Sequence, residues 1–308
     1  MTDRSILQKS RRVLHSLWNS DGRQIIYYCA RLGLGGETGY PITRTLRYMR
    51  HPTAHLRRKS ARALIKRDPA FENLVDRKTG YGVIPAGTLP GTDKIVELVR
   101  KLRDERDSVS TLRGEPFRET ILGPGDLHTY PELREFATSD AILQIASDYL
   151  GGIPVLAATL GWWSKDNDYL ESSQLYHVDS NDRHELKFFI NIEDVGPNDG
   201  PFTFIPADTT ERIIKKIDSP RRRIEDEEIF AHCTEDDVIE ATGPAGTTFA
   251  VDGCRCMHFG ARMNGGTRLV LLVEFYSYFS PMSPQVPMNP SPDWYPGDKL
   301  RSLALGLE

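Results

Sequence analysis

Cysteine is scarce in this chain. Four in 308 residues (Cys29, Cys233, Cys254 and Cys256) are too few and too scattered for a disulfide framework. Free thiols in a reducing compartment are expected, and with them a cytoplasmic location. Long apolar runs are missing as well: none approaches the roughly 20 residues that cross a bilayer, and no charged-then-apolar leader precedes a small-residue cleavage site. Neither a transmembrane nor a secreted protein is expected. There is no internal repeat and no phosphate-cradling Walker loop. Gly33, Gly35 and Gly36 lack both the spacing and the preceding buried strand of a dinucleotide turn.

Acidic residues are what the start of the chain lacks. Residues 1–67 hold 15 Lys and Arg against Asp3, Asp21 and Glu37, a balance of +12 inside a chain whose net charge is −4. The rest of the chain therefore balances at −16. A basic arm on an acidic body is a candidate for docking on an anionic surface or partner, or for packing against that body. An Arg-rich organelle-targeting segment stays open as a further use. Nucleic-acid binding is not expected, and the oligomeric state is open.

What is present falls into segments. Ile6, Leu7, Leu14, Leu17 and Trp18 recur at helical spacing, and a second helical stretch is expected over 42–66. From Gly80 the pattern changes to a short strand at 82–85, then helices over 92–107 and 132–150. Strands are expected at 155–163, 172–177, 186–195, 201–205, 247–251 and 268–278, rich in β-branched and aromatic residues and separated by Gly, Pro, Asn and Asp. Strands without alternating helices argue for an antiparallel sandwich or barrel. An excursion at 208–244 carries a helix near 210–217 and the triplet Arg221, Arg222 and Arg223, and is a candidate lid. Beyond Tyr278, prolines favour an extended tail. The expected organisation is an arm at 1–79, a β domain at 80–280 and a Pro-rich tail at 281–308.

The residues with chemical content sit among the strands. His177 and Asp179 are two apart, so an extended backbone puts both on one face, where they can grip one metal ion. His258, just past Thr247–Gly253 in sequence order, is the candidate third ligand. Two histidines and one carboxylate form a facial triad that leaves positions open for Fe(II) chemistry. Arg268 heads the apolar run 269–273, and an arginine facing into a barrel needs an anionic partner, so it predicts an anionic cosubstrate. Trp163 and Gln174 are the candidate substrate-side residues, with Arg221 as a possible phosphate contact. Lys187 and Asn191 could reach the cofactor or the mouth, but alternation alone leaves their side open. A zinc site of Cys254, Cys256 and His258 is disfavoured, because no second Cys pair follows. His184 lies in a turn and is not expected to ligate.

The stretches 176–180, 186–195 and 198–206, followed by 249–253 and then His258, Asn264 and Arg268, resemble the core of the phytanoyl-CoA dioxygenase-like superfamily. The opening at 80–85 is similar too, so the resemblance spans about residues 80–280. It implies a mainly β fold with flanking helices, a double-stranded β-helix of the jelly-roll or cupin-like kind. It also implies an Fe(II)- and 2-oxoglutarate-dependent dioxygenase that uses O2 to hydroxylate a small-molecule substrate, releasing succinate and CO2. Carried over by position, His177, Asp179 and His258 are the implied iron ligands, and Arg268 clamps the distal carboxylate of 2-oxoglutarate. Where the family often has a hydroxyl residue two places after the distal His, this chain has Gly260, and Thr267 is the expected substitute. Desaturation, cyclisation or epimerisation by the same chemistry is an alternative outcome. A metal- or acid-binding scaffold or sensor barrel is the non-enzymatic one.

Overall fold

The computed structural model describes residues 25, 29, 39–105, 110–112, 115–167, 170–217, 223–280 and 289–307. The expected helix near 6–18, Tyr169, Arg221, Arg222 and the tail at 281–288 lie outside them.

In chain order, α1 (Gly39–Arg50) and α2 (Pro52–Ser60) precede β1 (Tyr81–Ile84) and α3 (Thr92–Glu105). The helix expected over 42–66 is thus broken, because Pro52 disfavours a helical His51 and then opens a new helix. Next come β2 (Ser110–Leu112), β3 (Glu115–Leu122), α4 (Asp126–Thr129), α5 (Pro131–Ala137) and α6 (Asp140–Leu150). The single helix expected at 132–150 is two. Ser139 is extended, and its side chain caps α6 by accepting from the Ile142 N–H. The β domain continues with β4 (Val155–Lys165), β5 (Glu185–Asn191), β6 (Thr203–Ile205), α7 (Ala207–Ile214) and α8 (Asp226–Phe230). It closes with β7 (Ile239–Glu240), β8 (Thr248–Val251), β9 (Met257–Phe259) and β10 (Thr267–Tyr276), before α9 (Lys299–Ala304).

Two antiparallel sheets face each other. The larger has the order β1-β8-β5-β10-β4-β3-β2, the smaller β7-β6-β9. A bridge between His177 and His258 adds the 177 segment to the free side of β9, and Tyr176 pairs on with Ile224. From β4 onward, successive segments alternate between the sheets: β4, then 176–177, β5, β6 and β7, β8, β9, β10. That alternation is the winding of a double-stranded β-helix.

Period two sorts each strand. Leu186, Phe188, Ile190, Leu269, Leu271, Val273 and Phe275 face outward into the main core against α3, α5 and α6. The opposite faces of β4, β5, β8 and β10 carry Trp162, Phe189, Phe249, Val270 and Leu272, which meet Phe202 and Phe204 of the smaller sheet side. The main core also takes in residues before 80 and after 280. Ala61, Ile65, Phe71 and Val75 enter it from one end of the chain, Leu300, Leu303, Ala304 and Leu305 from the other. The tail therefore ends in a docked amphipathic helix where an extended segment was expected. Arg58 of α2 is buried and donates to the carbonyls of Ile153 (2.7 Å) and Leu303 (2.9 Å), with its guanidinium 4.1 Å from the Tyr278 ring centroid. Burial pulls its pKa down to about 9.

Candidate metal centre

The segment expected as a strand at 172–177 is instead a 3-10 turn, Ser172–Gln174, entered through Ser172 at φ 53°. The chain is extended from Leu175, and alternation then does what the spacing predicts: Val178 turns into an apolar cluster with Ile205 and Ile213, while His177 and Asp179 turn the other way. Backbone bonds tie this segment to the distal block. His177 and His258 exchange both N–H to carbonyl bonds at 3.0 and 2.8 Å, and the Asp179 N–H donates to the Gly253 carbonyl at 2.9 Å.

The outcome is one cluster. The ligand atoms of His177, Asp179 and His258 all lie within 4.8 Å of one another. Each histidine turns Nδ1 toward a backbone carbonyl two residues earlier, Leu175 and Cys256, both at 2.8 Å. A carbonyl only accepts, so Nδ1 carries the proton and Nε2 keeps its lone pair for a metal. Burial pushes the His177 pKa down to about 2, helped by the neighbouring His258, and burial likewise lowers that of His258. Both rings are neutral at neutral pH, the state a metal requires. Burial acts on Asp179 the other way, but the Lys187 ammonium, with the two histidines, outweighs it and holds the carboxyl well below the usual range.

Lys187 is the counter-ion inside the barrel. Its Nζ donates to Asp179 Oδ2 at 2.5 Å and lies 3.2 Å from Glu185 Oε1 and 3.4 Å from Glu274 Oε1. Burial lowers its pKa less than these three carboxyls raise it, so the ammonium stays charged. Burial pushes Glu185 and Glu274 up despite Lys187, which leaves Asp179 as the carboxylate of the group held ionised. Gly253 completes the packing: a Cβ there would lie 2.5 Å from both Asp179 Oδ2 and Glu185 Oε1. The turn that presents Gly253 is fixed by the buried Asp252, which accepts from Tyr149 Oη (2.7 Å), the Cys254 N–H (3.1 Å) and the Glu185 N–H (3.3 Å). His184 Nδ1 lies 3.0 Å from the same carboxylate, outside the metal cluster. Burial raises both Cys254 and Cys256 thiols, so neither offers a thiolate.

The triad opens on a cavity of about 220 Å³ that also receives Arg118, Lys187, Arg223 and Arg268. Arg268 is buried; Nη1 donates to the Gly200 carbonyl at 2.6 Å, and Nε meets no acceptor. No carboxylate pairs with it among the described residues, and burial, with Arg118 nearby, lowers its pKa to about 9. Such a cation is costly unless an anion joins it.

Three sequence expectations fall elsewhere, and a fourth lies outside the described residues. Thr267 is exposed, one residue off the inward register of Arg268, so it does not reach the cavity. Ser164, directly opposite Arg268 on β4, is the buried hydroxyl beside that arginine, with no partner for its Oγ among the described residues. Trp163 faces the main core, and its neighbour Trp162 lines the cavity. Gln174 is buried behind the wall, bonded to the Ala261 carbonyl (2.7 Å) and Asn167 Oδ1 (3.0 Å), whereas Ser173 lines the cavity. Arg221 lies outside the described residues, and Arg223 of the same triplet reaches the cavity. Arg118 was missed altogether, because no strand was expected at 115–122.

No protein-family model matches the chain, and no curated protein does. Among solved structures it is similar to the epimerase SnoN in complex with Fe3+, alpha ketoglutarate and nogalamycin RO, at a TM-score of 0.48 and 19% identity, covering 68% of this chain and 85% of that one. HygX from Streptomyces hygroscopicus, with nickel, 2-oxoglutarate and hygromycin B bound, gives a TM-score of 0.47 and 19% identity over 66% of this chain and 84% of that one. EctD from S. alaskensis in its apoform gives 0.48 and 13% identity over 67% and 75%.

Proposed function

We propose that this chain is a non-haem Fe(II)- and 2-oxoglutarate-dependent dioxygenase that oxidises a small-molecule substrate, with hydroxylation as the outcome. One observation carries this: two neutral histidines and one ionised carboxylate converge on a cavity that also holds a buried arginine with no carboxylate partner among the described residues. The donor set fits Fe(II), and the arginine fits the far end of a dicarboxylate. Iron bound there would couple the oxidative decarboxylation of 2-oxoglutarate by O2 to oxidation of a substrate C–H bond. His177, Asp179 and His258 would hold the metal, and Arg268 would orient the cosubstrate through its distal carboxylate. Lys187 keeps Asp179 anionic and fixes its direction. Trp162, Phe189, Phe202, Val270 and Leu272 exclude water from the reacting centre. A metallohydrolase would leave Arg268 with no anion to meet.

Purified protein supplied with Fe(II), 2-oxoglutarate and air is expected to release succinate slowly even without substrate, and Asp179→Ala is expected to abolish this. Absence of succinate from the wild type, with iron binding demonstrated, would overturn the assignment.

A further inference from the structure

Most of the large apolar side chains left exposed among the described residues come from one short stretch. Tyr48, Met49, Leu56 and Leu64 lie in it, against Val83, Leu170 and Phe230 in all the rest. Met49 and Leu56 are 65% and 67% exposed, the highest of these. Single exposed apolar residues are ordinary, but a cluster marks a surface that meets something. The Tyr48 ring lies 4.9 Å from the His55 ring, so the last turn of α1, with Met49, sits beside the part of α2 that carries Leu56. Along α2 and the 3-10 turn Ala61–Leu64, the inward side is Ala54, Arg58, Ala61 and Ile65 at helical spacing. Leu56 and Lys59 therefore point away from the body. Charge marks the same stretch: no Asp or Glu occurs between Glu37 and Asp68, and Arg50, Lys59 and Lys66 are exposed. The helices are fastened to the β domain, since Tyr40 of α1 donates through Oη to the Ser180 carbonyl at 2.7 Å.

We infer that α1, α2 and the turn to Leu64 form a face that docks on the surface of a bilayer containing anionic phospholipid. Arg50, Lys59 and Lys66 meet the anionic headgroups, and Met49, Leu56 and Leu64 enter the boundary with the acyl chains. A nucleic acid would use the cations alone and leave the aliphatic side chains in water. A folded acidic partner would have to supply a fitted apolar recess, whereas a bilayer yields to side chains spread over two helices. The inference is independent of the oxygenase assignment, because none of these residues lines the metal cavity.

Sedimentation of the full-length protein with vesicles tests this, using phosphatidylcholine alone and phosphatidylcholine mixed equally with phosphatidylglycerol. The mixed vesicles are expected to bind about tenfold more tightly or better, an advantage that shrinks as salt rises. Arg50→Gln combined with Lys59→Gln is expected to weaken that binding about tenfold or more. Met49→Ser combined with Leu56→Ser is expected to weaken it by about tenfold. These side chains are all exposed, so thermal melts of both double variants are expected to match the wild type. Leu170→Ser, at an exposed leucine outside the face, is expected to bind like the wild type. Equal binding to the two vesicle types would overturn the inference, as would a loss in Leu170→Ser as large as in the double variants. Wild-type binding by either double variant would overturn it too. Binding that survives without the charges is not made by this face, and binding that survives without the apolar pair describes a site for any polyanion, an acidic protein or nucleic acid included.

Discussion

Gly253→Ala is a one-methyl perturbation aimed at the carboxylate ligand. Gly253 does not occupy the left-handed region of backbone space, so alanine brings no backbone strain there. The added Cβ would lie 2.5 Å from Asp179 Oδ2 and Glu185 Oε1 and 3.5 Å from His258 Cε1, where contacts below 3.4 Å are already tight. The two oxygens would have to retreat by about 0.9 Å. Neither has room. Asp179 Oδ2 is held by Lys187 at 2.5 Å, and Glu185 is fully buried with its other oxygen bonded to Asn181 Nδ2 at 3.0 Å. Metal sites tolerate displacements of roughly 0.5 Å, so metal affinity is expected to fall about 10- to 100-fold, or about 1.4 to 2.8 kcal/mol. Overpacking costs a further 1–3 kcal/mol or so of fold stability. Competition against a coloured chelator with Co(II) reads the affinity, and a thermal melt of the apo protein reads the fold. A folded Gly253→Ala protein with wild-type metal affinity would refute the placement of Asp179 in the site.

Other perturbations separate the remaining roles. Arg268→Met is expected to weaken 2-oxoglutarate binding by about 100-fold without lowering the apo protein's Tm, since it removes a buried cation that has no carboxylate partner among the described residues; calorimetry and a melt check both halves. Lys187→Met leaves three buried carboxyls without their ammonium and is expected to cost about 3 kcal/mol at pH 8. Those carboxyls would have raised folded pKa values, so the penalty fades as pH falls toward their unfolded values near 4 and grows above them, which urea melts at pH 5 and pH 8 would show. Asp148 is also buried, which alone would raise its pKa, but hydrogen bonds from Arg67 and Arg62 outweigh this and hold it low. Its contribution is present above the unfolded value near 3.9 and is lost as pH falls through the lower folded value. Because both arginines are about a third exposed, Asp148→Asn is expected to cost only about 1 kcal/mol at pH 7, with melts of the two proteins converging as pH falls through that lower value.

How much of this was legible in the sequence follows the reach of each signal. His177 and Asp179 could be paired because extended-chain alternation is local, and it worked even though the turn at Ser172 replaced the expected strand. The order of His258 and Arg268 after the apolar strands pointed to the third member of the cluster and to the buried arginine of the same cavity. Which neighbour faces inward was not legible: Trp163 and Trp162 differ only by parity, and the register of β4 against β10 decides it. The alignment of Arg118 and Arg268 on either side of Ser164 is invisible for the same reason, since it depends on two strand pairings, each with a register shift along its length. The Glu-Pro start and charged residues of β3 gave no strand signal to prompt it. The charge division of arm from body says nothing of the core, because charge tracks the surface, whereas Ala61, Ile65 and Leu303 enter one core cluster.

The central claim is that His177, Asp179, His258 and Arg268 assemble an iron and 2-oxoglutarate site, and an anaerobic spectral titration tests it most directly. Adding Fe(II) and then 2-oxoglutarate to the wild-type protein is expected to produce a visible charge-transfer band from the chelated keto acid, lost in His177→Ala. A wild type that stays colourless would contradict the account, as would a band that survives unchanged in His177→Ala.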